Sequence, residues 1–125
     1  IGVRLVGSEM CIRDSLWYSA LDVFVVPRRD VEVCRKVTPL KPLQAMACGV
    51  PVIGTDLPAL KEITGGLMVE VEPDNPSALA KSVDLVRQVE LIVNPRELEE
   101  WAKKRSWERN AHILEGLYLE LLRGR

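Results

Sequence analysis

RKVTPLKPLQAMACGVPVIGTD, residues 35–56, is the stretch on which the fold turns. It reads as a loop, a short helix, a tight turn and a buried strand. Thr38 is a good N-cap, and Pro39 suits the first helical position, where a missing N–H costs nothing. Leu40, Leu43, Met46 and Ala47 then recur at helical spacing, and Gly49 supplies the stop. Pro42 fits such a helix only in or beside its first turn. Val50–Thr55 is apolar and β-branched, the pattern of a strand covered on both faces. A basic loop feeding a helix N-terminus is a place for an anion. Free N–H groups and the helix dipole converge there, with Arg35, Lys36 and Lys41 close by.

Upstream, Asp22–Pro27 (DVFVVP) reads as a strand, preceded by a short helix over residues 16–21 with Trp17 and Leu21 on one face. Arg28–Val37 follows as a polar loop carrying four basic residues. Its place between a strand's carboxyl end and a helix N-terminus is the crevice where open α/β sheets bind ligands. A solvated surface is the plain alternative for such a run. Downstream, Leu57–Ile63 reads as one or two helical turns, Gly65-Gly66 breaks the chain, and Leu67–Val71 is another strand. Pro73-Asp74-Asn75-Pro76 makes a turn and an N-cap for a helix with Leu79, Val83 and Val86 on one face. Pro95 opens a further helix in which Trp101 is expected in the core. Ser106 caps a last helix with Trp107, Ala111, Leu114, Tyr118 and Leu121 in one stripe.

A chain of 125 residues with 47% apolar content fills one hydrophobic core. Its net charge of −1 offers no electrostatic support for a nucleic-acid partner. Cys11, Cys34 and Cys48 form no CxxC, and an odd count argues against a disulfide framework, so a reduced, cytoplasmic setting is expected. No apolar run reaches membrane-spanning length, which leaves peripheral attachment to the inner membrane face as the most a membrane could offer. The one histidine, His112, falls in the middle of the last helix as a surface or packing residue. No DxD pair, Cys/His cluster or GxSxG turn advertises a metal or a serine nucleophile.

Taken together, these segments resemble the donor-binding half of nucleotide-sugar glycosyltransferases of the GT-B fold, the group 1 retaining family. Its chains run through a strand ending in Pro, a loop, a Glu, seven residues, a second Glu, and Ala-Met-Ala-x-Gly-x-Pro-Val. DVFVVP matches the strand and QAMACGVPV, residues 44–52, matches the helix and turn. Tyr18 and Asp22 fall at matching positions, where a packed ring and a capping carboxylate are expected. Glu62 matches the acid of a Gly-Gly-x-x-Glu run whose glycines are here Pro58 and Ala59. SWERNAHILEGLYLELL, residues 106–122, resembles the terminal helix that crosses back to the acceptor domain. The resemblance implies an α/β fold, a Rossmann-like parallel sheet flanked by helices, as the C-terminal half of a GT-B enzyme truncated at its N-terminus. Residues 17–125 form that donor domain. Residues 1–16 are set apart: Gly7–Ser15 resembles translated sequencing-adapter sequence, and Val3–Gly7 alternatively reads as a remnant strand.

What the resemblance implies chemically is transfer of a sugar, with retention, from a nucleotide-diphosphate sugar to a glycan or lipid-linked acceptor, without metal or cofactor. The acceptor domain lies in the missing N-terminal half, so the fragment alone is expected to be inactive. Lys36, Val37, Thr38, Leu40 and Lys41 are expected at the donor diphosphate and Gln44 at the ribose, with Arg28, Arg35 and Glu62 as further candidates. No catalytic residue is assigned. Two positions depart from the family pattern: Lys36 replaces the first Glu, and Gln44 replaces the second, removing a charge from the ribose site. Pro39 has no N–H to offer. These departures keep open a degenerate, non-catalytic nucleotide-sugar-binding module, and an epimerase of the same fold is a further alternative, although no acid/base set suits it.

Overall fold

VIGT becomes the middle of a parallel sheet in the computed structural model, which describes residues 8–88 and 94–124. β2 (Val52–Thr55) lies between β1 (Phe24–Val26) and β3 (Val69–Val71), and both pairings are parallel. Ile53 stands opposite Val25 on one side and Val69 on the other. All four β2 residues are buried, so the strand shows no alternation, as its uninterrupted apolar pattern predicts. The strands are shorter than the apolar runs that announce them. Pro51 has no N–H for a ladder, yet its carbonyl accepts from the Phe24 N–H at 2.8 Å, and regular pairing begins one residue later. Asp22 lies before the ladder, exposed, and caps no helix.

Seven helices are described: α1 (Ser8–Ser19), α2 (Glu32–Lys36), α3 (Lys41–Ala47), α4 (Pro58–Thr64), α5 (Pro76–Gln88), α6 (Pro95–Lys104) and α7 (Trp107–Arg123). β1 connects to β2 through α2 and α3, and β2 connects to β3 through α4. Parallel neighbours require such crossovers. The helix expected over residues 16–21 is instead α1, which runs through the expected boundary at residue 16 without a break and ends two residues earlier. The strand expected at Val3–Gly7 lies outside the described residues. The loop expected over Arg28–Val37 contains α2, a single turn with no side-chain cap.

Pro42 decides where α3 begins. A helix starting at Pro39 would place Pro42 at its fourth position, where its missing N–H and its ring would both oppose the Thr38 carbonyl. The chain starts the helix at Lys41 instead, with Leu40 as N-cap and Pro42 in the first two positions. Thr38 and Pro39 therefore stay in the loop, contrary to the expectation that Thr38 caps the helix. Gly49 closes the helix with φ +71, as the pattern predicts.

The core gathers on the α3–α4 side of the sheet. Met46, Val52, Leu57, Leu60 and Leu98 are completely buried and form one cluster, with Leu98 contributed by α6. Trp101 sits at the margin of this cluster rather than inside it. Its indole N–H donates to the Ile63 carbonyl at 2.8 Å, and the Arg105 guanidinium lies 4.9 Å from its ring centre. The α7 stripe is another matter. Trp107, Leu114, Tyr118 and Leu121 are all exposed, and α7 has no buried residue.

Candidate functional site

The carboxyl ends of β1 and β2 are tied together by one buried hydroxyl. Thr55 Oγ1 accepts from the Arg28 N–H at 2.8 Å and donates to the Val26 carbonyl at 3.3 Å. Burying a hydroxyl costs free energy unless it is paired, and this one is paired twice. From this anchor the Arg28 side chain reaches to the far end of α2. Its Nη1 donates to the Val37 carbonyl at 2.7 Å and to the Cys34 carbonyl at 3.4 Å.

The other cations of the loop are also engaged. Arg35 forms a two-pronged pair with Asp30, which holds the Asp30 carboxyl below the usual carboxylate range and raises the guanidinium above its own. Lys36 donates to Glu32 one turn back at 2.6 Å, and Arg29 lies 3.7 Å from Asp74. Lys41 is different: among the described residues it has no ion pair or hydrogen bond through its ammonium.

The backbone shows the same division. The Val37 N–H is taken by the Val33 carbonyl at 2.9 Å, and the Leu40 carbonyl accepts from Gln44 at 3.1 Å. Between these two fixed points, the N–H groups of Thr38, Leu40 and Lys41 meet no acceptor among the described residues. Thus the expected diphosphate residues split. Thr38, Leu40 and Lys41 present donors, whereas Val37 and Lys36 have theirs engaged within the chain.

Gln44 lies one turn into α3, and its Oε1 accepts from the Tyr18 hydroxyl at 3.3 Å. Partial burial raises the Tyr18 pKa, with Asp14 adding to the effect, and its ring meets Phe24 edge-on at 5.5 Å. Tyr18 is therefore the packed ring that was expected, with a polar handle on Gln44. A groove of about 810 Å³ between α3, α6 and α7 is lined by both Leu40 and Gln44. A smaller cleft of about 210 Å³ lies across the strand ends, between Pro27, Arg28, Thr55 and the start of α5. Glu62 is exposed on α4 and lines neither. Residues 36–39 also stand outside both. Neither the role of Thr55 nor the reach of Arg28 was visible beforehand. A threonine at a strand end carries little signal, and carbonyl partners leave none.

Among the described residues no three His, Cys, Asp or Glu side chains gather into a group that could hold a metal ion. No described helix is long and apolar enough to cross a membrane.

A parallel α/β sheet with a helix–Gly–strand unit at its centre, flanked by helices, defines the class: a Rossmann-like α/β domain of the GT-B kind. Residues 3–89 match the family described as glycosyl transferases group 1, and the chain belongs to that family. The match begins ahead of residue 17, where the domain was expected to start. Over 65 residues, 51% of this chain, it is 46% identical to the lipopolysaccharide core biosynthesis mannosyltransferase LpsB of Rhizobium meliloti (strain 1021). That stretch spans 16% of the relative's length. No solved structure matches.

Proposed function

We propose that this chain is the donor-binding domain, residues 17–125, of a retaining glycosyltransferase that works without metal, and that the loop Thr38–Lys41 holds the diphosphate of a nucleotide sugar. The observation that carries this reading is the coincidence of three unpartnered backbone N–H groups with the one described loop cation, Lys41, that is not already paired. Departure of a nucleoside diphosphate builds negative charge on its oxygens. Preorganised N–H donors and an ammonium stabilise that charge more strongly as it develops, which is what lowers a barrier. Gln44 holds the ribose by hydrogen bonds alone, about 1 kcal/mol weaker than a carboxylate would. The acceptor is a glycan or lipid-linked glycan, in keeping with a relative named for lipopolysaccharide core biosynthesis. It is seated by an N-terminal domain outside this chain, at the cytoplasmic membrane face, and the chain alone binds donor without transferring it. A second reading, a binding module that no longer transfers, draws on the engagement of Lys36 with Glu32 and of Gln44 with Tyr18.

Backbone amide shifts test the site directly. Adding a nucleoside diphosphate is expected to move the amides of Thr38, Leu40 and Lys41 first. Shifts confined to Asn75–Leu79, beside the smaller cleft, would move the ligand site to the start of α5 and contradict the assignment.

A further inference from the structure

We infer that Arg28 is a positioning residue, a latch that ties the start of the loop 37–40 to the ends of β1 and β2. That those loop amides serve a diphosphate rests on the proposed function; the latch itself does not. The backbone of Arg28 is held from the sheet, because its N–H sits on the buried Thr55 hydroxyl at 2.8 Å. Its side chain then spans to α2 and donates from one nitrogen to the carbonyls of Val37 and Cys34, at 2.7 Å and 3.4 Å. α2 has five residues, too few to persist by its own hydrogen bonds. Its last carbonyls are where a cation is most favourable.

Among the described residues, the Arg28–Val37 contact is the hydrogen bond that joins residue 37 to the sheet. The loop's other end is held by Gln44 on the Leu40 carbonyl. With both ends fixed, the amides of Thr38, Leu40 and Lys41 keep one arrangement instead of sampling many. A preorganised set of donors binds an anion without first ordering itself. Arg28 was expected among the donor-binding candidates. In this geometry it serves the amides that bind, with its Nη1 given to the carbonyls of Val37 and Cys34.

The test uses the 125-residue chain with Arg28→Met, which keeps the apolar stem, and Arg28→Lys, which keeps one donor group. Hydrogen exchange at the Val37 amide should quicken about tenfold in Arg28→Met, the factor expected for losing a hydrogen bond from a charged donor. Exchange across Val52–Thr55 should stay unchanged, and Arg28→Lys should recover part of the Val37 protection. Pyrophosphate, used as the probe of the loop, should bind about tenfold more weakly to Arg28→Met and partly regain affinity in Arg28→Lys. Unchanged exchange at Val37, or an equal rise across β2, overturns the latch. If the wild-type chain binds no pyrophosphate while Arg28→Met still quickens Val37 alone, the latch stands and the proposed function fails.

Discussion

Gly65 and Gly66 both adopt left-handed backbone, with φ +64 and +75, yet a methyl group would meet very different surroundings at the two positions. At Gly66 an added Cβ finds nothing within 4 Å. At Gly65 it would stand 2.5 Å from Cε2 and Cζ2 of Trp101, closer than any carbon contact allows. Gly66→Ala should therefore cost about 1 kcal/mol, the conformational penalty of a left-handed alanine. Gly65→Ala carries that same penalty and must also push the indole aside. Displacement puts the 2.8 Å bond to the Ile63 carbonyl at risk, worth about 1 kcal/mol, and adds overpacking of about 1–2 kcal/mol. The expected total is about 3–4 kcal/mol, so the two variants should differ by roughly 2–3 kcal/mol, or about 10 °C in melting temperature. Urea unfolding of both variants beside the wild type measures this difference. Fluorescence adds a local readout, because Trp17 and Trp107 are 73% and 83% exposed and Trp101 is the shielded emitter. Gly65→Ala should shift emission to the red, and Gly66→Ala should not. Equal destabilisation of the two, within about 0.5 kcal/mol, would refute the placement of Trp101 over the end of α4.

Thr55→Val removes the hydroxyl that joins β1 to β2 while nearly preserving volume. It removes both hydrogen bonds of that hydroxyl, leaves the Arg28 N–H only its 3.0 Å contact to the Val26 carbonyl, and should lower unfolding free energy by about 2 kcal/mol in urea titrations. Hydrogen bonds to Asp56 and Glu70 raise the Lys61 pKa above its ordinary 10.5. Its contribution to stability is therefore complete below the unfolded value and is lost as pH rises through the higher folded one. Between about pH 9 and pH 12, the wild-type urea midpoint should fall further than that of Lys61→Met. Because the three side chains are substantially exposed, the difference should shrink in high salt.

Much of this arrangement was legible in the sequence because its signals are local. Gly49 before Val50–Thr55 announces a helix stop and a buried strand whatever the rest of the chain does. Pro95 and Ser106 announce the starts of α6 and α7, and the Ser106 side chain caps α7 by accepting from the Arg109 N–H. The misplacements have equally definite causes. Two prolines compete for the start of α3, and the choice turns on which carbonyl a proline ring would oppose. α2 is one turn long and lacks a periodic pattern. It is held by Arg28 and by packing against α4, both outside its own residues. The α7 stripe is plainly apolar in sequence, but periodicity does not say what a stripe faces, and here Leu114, Tyr118 and Leu121 remain exposed.

At the candidate site, residue type singled out cations that the fold engages within the chain. Lys36 and Arg35 look like anion ligands on composition, but Glu32 and Asp30 lie at spacings that neutralise them. The groups left over are backbone amides, which no side-chain pattern reveals. Gln44 meets Tyr18 across 26 residues, a pairing that only the folded sheet brings about.

On the proposed function, the loop Thr38–Lys41 binds the diphosphate of a nucleotide sugar. Calorimetric titration with UDP and GDP sugars, in the presence of EDTA, tests it most directly when wild type is compared with Lys41→Ala and Thr38→Ala. Micromolar binding of one nucleotide class is expected, weakened at least about tenfold by Lys41→Ala, as the loss of a charge-assisted hydrogen bond requires. Thr38→Ala should weaken it by a smaller factor. Folded wild-type protein that binds none of these donors, or binding that neither substitution diminishes, would contradict the claim.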